Sequence, residues 1–371
     1  MPRLEYMKVA YKHFPPDIKK MYKLDQMVTK DGYIYVRIKK GMYGLKQAAI
    51  LAYERLTATL EQFGYHHVLG TVGLWKHETR PIQFCLCVDD FGVKYYNKKD
   101  VQHLLQAIGK LYKYTTDWTG TKYCGMTFDW NYENNYVDVS MPGYVQKSIQ
   151  RLQYHPKIPQ YSPHKYNHFK FGEKGSRQYA KEDDPSTPLT DKETTWIQSV
   201  AGTFLYYART IDSTLLPALN ELAREQSKPT ENTRLKAHQI MDYTATYPNA
   251  FIRYHASDMI LNIDSDAAYL VAPQAKSRIA GYYHLAQDPT KIQHPIINGA
   301  ILVECKTLRH VVASAAEAET AGVFHNAQLA VSLRHFLQAL GHQQPPTPIK
   351  TDNSTTHGFI HNNIHQKKPK S

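Results

Sequence analysis

Hydrophobic positions along this chain change spacing several times, and each change predicts a different element. Tyr33-Ile34-Tyr35-Val36-Arg37-Ile38, after the turn signal Lys30-Asp31-Gly32, reads as a strand. Tyr53, Leu56, Leu60 and Phe63 recur every three or four residues, which predicts a helix over 47–63 that Gly64 ends. Ile82 to Val88 is a buried strand running straight into Asp89-Asp90, and Phe91 to Tyr96 reads as its return. Val101, Leu104, Leu105, Ile108 and Leu111 share one side of a predicted helix over 101–112. A hairpin is predicted over 122–140, turning at Glu133-Asn134-Asn135, and Pro142-Gly143 opens a helix carrying Val145, Ile149 and Leu152.

Periodicity then fails. Residues 155–190 hold Pro156, Pro159, Pro163, Pro185 and Pro188 among polar neighbours, the composition of a linker. Helices resume over 194–246. Strands follow near 258–265, 278–286 and 299–305, then a long helix over 315–340, a strand at 347–351 and a short helix. The predicted organisation is a mixed domain over 1–154, a linker over 155–190, a helical segment over 191–250 and a second mixed domain over 251–371.

Composition narrows the function classes. With 371 residues, 42% hydrophobic and 21% charged, the chain is globular rather than disordered and long enough for two or three domains. A net charge of +12 favours a polyanionic partner such as nucleic acid. Cys85, Cys87, Cys124 and Cys305 make no CxxC pair, so they are expected to be thiols in a reducing compartment. His361 and His365 lie one helical turn apart with no cysteine pair after them, which suits a solvated helix face better than a zinc site. No signal-peptide order and no apolar run of about 20 residues is present, so a soluble intracellular protein without a membrane partner is expected, cytoplasmic or nuclear.

Carboxylates at element ends supply the candidate chemistry. Asp89 and Asp90 repel each other at a strand terminus, and a divalent cation would offset that repulsion. A plain turn accounts for the pair as well. Asp264 and Asp266 lie on one face of a predicted strand, so spacing does not choose between them. Ser314 and Glu317 fit a capping box, which leaves Glu319 without a structural role, and Asp352 ends another strand.

Several of these stretches together resemble a known family. Gly41-Met42-Tyr43-Gly44-Leu45-Lys46-Gln47-Ala48 resembles the "YGLKQA" signature of copia-type retrotransposon polymerases. Val88-Asp89-Asp90 resembles their metal motif. Tyr123-Cys124-Gly125-Met126, preceded by Asp117-Trp118-Thr119-Gly120, resembles their primer grip. Over 258–371 the order strand–Asp, helix–Glu, strand–Asp resembles the family's RNase H domain, and its "SDAS" pattern favours Asp266 over Asp264. The resemblance implies an α+β palm and thumb of a reverse transcriptase, partial over 1–154, followed by an α/β RNase H-like domain with a mixed sheet and flanking helices. It implies Mg²⁺, or Mn²⁺ in its place, held by Asp89 and Asp90 in one site and by Asp266, Glu319 and Asp352 in the other. It places Gln47 against an incoming dNTP and Cys124 and Gly125 in the primer grip. The implied partners are an RNA template, a DNA primer, an RNA–DNA hybrid and other parts of a Pol polyprotein. Ser277-Arg278 are candidate contacts to the hybrid.

Two departures from the family pattern shape the expectation. The family's third palm carboxylate lies upstream of the stretch resembled by Met1 to Met7, and Asp17, Asp25 and Asp31 replace it poorly: after two prolines, without a preceding strand, and in a turn. The family's fourth RNase H acid follows a basic stretch resembled by Gln366 to Ser371. An impaired polymerase with a weakened nuclease is therefore expected. A non-catalytic retroelement relic that binds nucleic acid and a nuclease acting alone are the other readings. Primer extension with dNTPs and Mg²⁺ is expected to stay near background; robust extension would overturn the inference from the missing carboxylate.

Overall fold

The computed structural model describes residues 4–39, 41–42, 44–71, 73–165, 184–272, 276–288 and 297–361. Met1 to Arg3, Tyr43 of the signature, the middle of the predicted linker, His365 and the basic stretch from Gln366 lie outside the described residues. Internal contacts divide the chain into two units. The first is Met1–Val68, Gly73–Leu86 and Gly92–Thr116; the second is Leu69–Val72, Cys87–Phe91 and Asp117–Ser371.

In the first unit β1 (Glu5–Ala10) pairs antiparallel with β2 (Tyr33–Ile38), and α1 (Pro16–Met21) lies between them in sequence. The helix α2 (Lys46–Gln62) stops where Gly64 takes φ +77°, a conformation that costs glycine little. A sheet follows in the order β3 (Tyr65–His67), β4 (Leu74–His77), β5 (Ile82–Cys87), β6 (Asp90–Tyr95). The helix α3 (Lys98–Gly109) is capped by Asn97, whose side chain accepts from Lys99 N at 2.9 Å. Leu60, Tyr65, Leu74, Trp75, Ile82, Phe84 and Leu104 are buried, and Trp75 and Phe84 face each other across β4 and β5 with rings stacked.

The second unit begins with a small sheet. β7 (Lys122–Tyr123) and β8 (Met126–Asn131) join through Cys124 at φ +49° and Gly125 at φ +76°, the two left-handed residues a type I′ turn requires. β9 (Tyr136–Ser140) follows, and then α4 (Tyr144–Arg151), α5 (Asp191–Thr210), α6 (Leu216–Glu225) and α7 (Glu231–Thr246). Thr190 and Glu193 form a capping box at the start of α5. β10 (Phe251–His255) returns to pair with β9, giving the order β10-β9-β8-β7.

The contacts group the chain differently from the expected mixed domain over 1–154. Val139, Val145, Ile149 and Leu152 share one core with Ile197, Phe204, Leu219 and Ile240, so 117–154 packs with the helices rather than with the segment before it. Trp196 Nε1 donates to Leu152 O at 2.9 Å, and Arg253 of β10 holds Asp138 of β9 through two 2.7 Å bonds. The proline-rich run is also tied down at its described ends. Tyr154 OH and Lys157 N both donate to buried Asp242, and Leu189 N donates to Pro229 O. Loss of periodicity marks absence of a helix or strand, not absence of packing.

The last sheet is β11 (Ile260–Ala272), β12 (Lys276–Ala286), β13 (Ala300–Thr307) and β14 (Ile349–Lys350). Its order is β13-β12-β11-β14; the first three are antiparallel and β14 is parallel to β11. A parallel neighbour needs a long crossover, and α8 (Ala315–Ala339) supplies it. The short helix α9 (Ser354–Ile360) follows β14. No helix among the described residues is long and apolar enough to cross a membrane.

Ile149→Ala and Phe204→Ala sit on opposite sides of the expected boundary but in one core. Each is expected to cost about 2–5 kcal/mol and to shift the same urea transition; two separately shifted transitions would restore the boundary near residue 155.

Candidate metal centre

The parallel register builds the site. Asp264 faces Lys350 across β11 and β14. Two residues further along each chain come Asp266 and Asp352, which parallel strands about 4.8 Å apart leave as neighbours. Glu319 reaches the same point from the first turns of α8. One carboxylate oxygen from each of Asp266, Glu319 and Asp352 lies within 4.8 Å of the others, and among the described residues no other such group of three potential ligands occurs. Asp266 and Asp352 are exposed, whereas Glu319 is buried.

Glu319 is the costly member. Its Oε1 accepts from Ala267 N at 3.2 Å, while its buried Oε2 has no hydrogen-bond partner. Burial pushes its carboxyl above the usual carboxylate range and the charges of Asp266 and Asp352 push it further up, while the Ala267 N–H and the Thr351 hydroxyl pull it back. A buried carboxylate with one unpaired oxygen beside two more carboxylates is what a divalent cation would satisfy. Three hard oxygen donors from separate elements suit Mg²⁺ or Mn²⁺.

The pair that spacing left open is separated by its neighbours. Asp264 Oδ2 lies 3.4 Å from Nε2 of His284, a contact misaligned for a hydrogen bond. Burial pushes that imidazole below its usual range, against the pull of Asp264. An open recess of about 310 Å³ adjoins Asp266, lined among others by Asp264, Gly281, Tyr282, Glu304 and Ser213. Glu317 caps the helix start. Its N–H donates to Ser314 Oγ at 3.1 Å, and its Oε2 accepts from Ala313 N at 2.7 Å, one residue outside the predicted box. Ser277 and Arg278 are corrected as hybrid contacts. Ser277 is fully buried with its hydroxyl accepting from Leu270 N, and Arg278 turns inward to Glu221 at 3.5 Å.

The other candidates are placed as follows. Asp89 and Asp90 are exposed at the turn between β5 and β6, where Val88 takes φ +58°. Asp25 accepts from Tyr11 OH, and Asp31 pairs with Lys8 at 2.6 Å, which holds its carboxyl down at about 2. Gln47, in the first turn of α2, donates to Glu5 Oε1 at 3.3 Å. Burial, with a hydrogen bond to Cys87, pushes the Cys124 thiol up to about 11, and Tyr206 OH donates to the Cys124 carbonyl at 2.5 Å. Asp117 accepts from Thr119, Thr121 and the Lys122 N–H, so it knots the loop before that turn. Sequence reasoning missed His284 and the buried amide of Asn326; an isolated polar residue on an apolar helix face was the available signal for the second.

No family model matches this chain, and no solved structure matches it. A Saccharomyces cerevisiae protein described as "Putative transposon Ty5-1 protein" is 24% identical over 278 residues, covering 74% of this chain and 86% of the yeast protein. The similarity points to a retrotransposon origin.

Glu319 holds its proton more tightly folded than unfolded, so stability is lost as pH rises from the ordinary carboxylate range through its raised value, and stays lost above it. Glu319→Gln is therefore expected to raise the Tm of the metal-free protein at pH 7 and to bring no gain below about pH 4. Added Mn²⁺ is expected to raise the wild-type Tm more than that of the variant, read by thermal denaturation.

Proposed function

We propose that this chain is a retroelement reverse transcriptase/RNase H fragment whose working centre cleaves the RNA strand of an RNA–DNA hybrid. The observation that carries the reading is the convergence of Asp266, Glu319 and Asp352 within 4.8 Å from two strand ends and a helix. The sheet order β13-β12-β11-β14, with α8 as the crossover that delivers β14 beside β11, supports this reading. The yeast similarity supports the retroelement part of the reading.

In this reading Asp266, Glu319 and Asp352 hold Mg²⁺ or Mn²⁺, which would supply an activated water and offset charge on the scissile phosphate. Glu319 lies below the surface and fixes the depth of the centre through its bond from Ala267 N. The exposed Asp266 and Asp352 face the solvent from which a hybrid arrives, and the recess beside Asp266 leaves room on that side. The net charge of +12 favours a polyanionic substrate.

The segment before residue 117, with the turn at Asp89-Asp90, is read as a polymerase palm remnant, on motif resemblance alone. Among the described residues no third ligand atom groups with Asp89 and Asp90, so nuclease chemistry is the activity proposed for this chain and dNTP addition is not.

The full chain with Mg²⁺ or Mn²⁺ is expected to nick the RNA strand of an end-labelled hybrid and to leave duplex DNA intact. Asp266→Asn is expected to lower the rate by about a hundredfold or more, as removal of a group that stabilises the transition state does. Hybrid binding without any cleavage would replace this reading with the non-catalytic relic.

A further inference from the structure

Asn326 is fully buried in the middle of α8, where an amide is expensive unless every polar atom is paired. Here its pairing is extensive. Its Nδ2 donates to Ser265 Oγ at 2.9 Å and to Ala280 O at 2.9 Å, and its Oδ1 accepts from Tyr283 OH at 2.8 Å. Ser265 immediately precedes Asp266, and Ala280 is the residue directly across from Asp266 in the β11–β12 ladder. Asn326 is seven residues after Glu319, about two turns along the same helix face. One amide therefore joins the helix that carries Glu319 to the strand that carries Asp266 and to the strand paired with it.

The packing around it allows one arrangement. A Cβ on Gly281 would lie 2.5 Å from Asn326 Oδ1, so the strand carries no side chain where the amide presses in. Gly322, one turn before Asn326, brings the α8 backbone close to Asp266 O and Ser265 Oγ. Apolar contacts such as Leu337 against Ile263 permit sliding by fractions of an ångström; three directed hydrogen bonds do not.

We propose that Asn326 is a positioning residue for the metal centre: by tying α8 to β11 and β12 beside Asp266, it sets the separation of the Asp266 and Glu319 carboxylates. This rests on the reading of Asp266, Glu319 and Asp352 as a metal site. A reporter of the same separation needs no metal, because the Ala267 N–H donates to Glu319 Oε1 at 3.2 Å and is protected only while helix and strand keep their spacing.

The test compares Asn326→Ala with Leu337→Ala, a core truncation near the other end of α8, at a temperature where circular dichroism shows both folded. Hydrogen exchange at the Ala267 amide is followed by NMR, and Mn²⁺ affinity by electron paramagnetic resonance. Asn326→Ala is expected to speed exchange at Ala267 and to weaken Mn²⁺ binding, each by about tenfold or more. Leu337→Ala is expected to leave both within about twofold at a similar loss of Tm. Should Asn326→Ala not fold, Ser265→Ala removes a single bond of the tie and is expected to move both readouts the same way by a smaller factor. Unchanged protection of Ala267 in a folded tie variant, or an equal effect of Leu337→Ala, would overturn the proposal. Wild-type protein that binds no Mn²⁺ would instead sink the metal reading, and Ala267 exchange would still decide the role of Asn326.

Discussion

Like charges held a few ångströms apart repel, and the organisation of the last sheet is the means by which that repulsion is endured. Asp266, Glu319 and Asp352 converge with one of them buried and half unpaired, so the frame around them supplies the free energy their proximity costs. That frame is the β11–β12–β13 ladder, the crossover helix α8, and the parallel strand β14 that the crossover delivers beside β11. Loosening any of these would let the carboxylates separate, because nothing in their own interaction keeps them together.

The same constraint explains where polar groups are buried. Glu319 sits at one point of the α8–sheet contact and Asn326 at another, with Gly322 keeping the helix close between them. The amide is fully paired and its hydrogen bonds are directional; the carboxylate is incompletely paired and lies beside the other two acids. A satisfied polar network thus fixes geometry beside a carboxylate left partly unpaired.

The helical layer and the small sheet β10-β9-β8-β7 belong to the second unit with the last sheet, and their link to that sheet runs through side chains as well as chain continuity. Asn220 of α6 donates to Cys305 O at 3.3 Å, and Tyr254 of β10 donates to Ala300 O at 2.8 Å. Asn298 closes the junction by binding both the N–H and the carbonyl of His255. The hairpin that resembles a primer grip thus belongs to the unit that carries the acidic centre, which no reading of periodicity along the chain revealed.

Local order was legible in the amino-acid sequence because it depends on neighbours. The strand before Asp89, the stop at Gly64, the cap at Ser314 and the length of α8 follow from residue spacing and from groups that bond within a few positions. So did the three acids as candidates, because each ends or opens an element. Spacing left Asp264 and Asp266 open and the resemblance favoured Asp266; the tertiary structure added the reason in space, since the register of β14 and the approach of α8 bring Asp266 to Glu319 and Asp352. It alone moved the boundary from 155 to near 117, because the β9–β10 pairing joins residues more than a hundred positions apart. It alone turned Ser277 and Arg278 inward and gave Asn326 its three partners. A hydrogen bond or a core contact across such distances depends on how elements are placed in space, and that placement leaves no periodic trace in the chain that makes it.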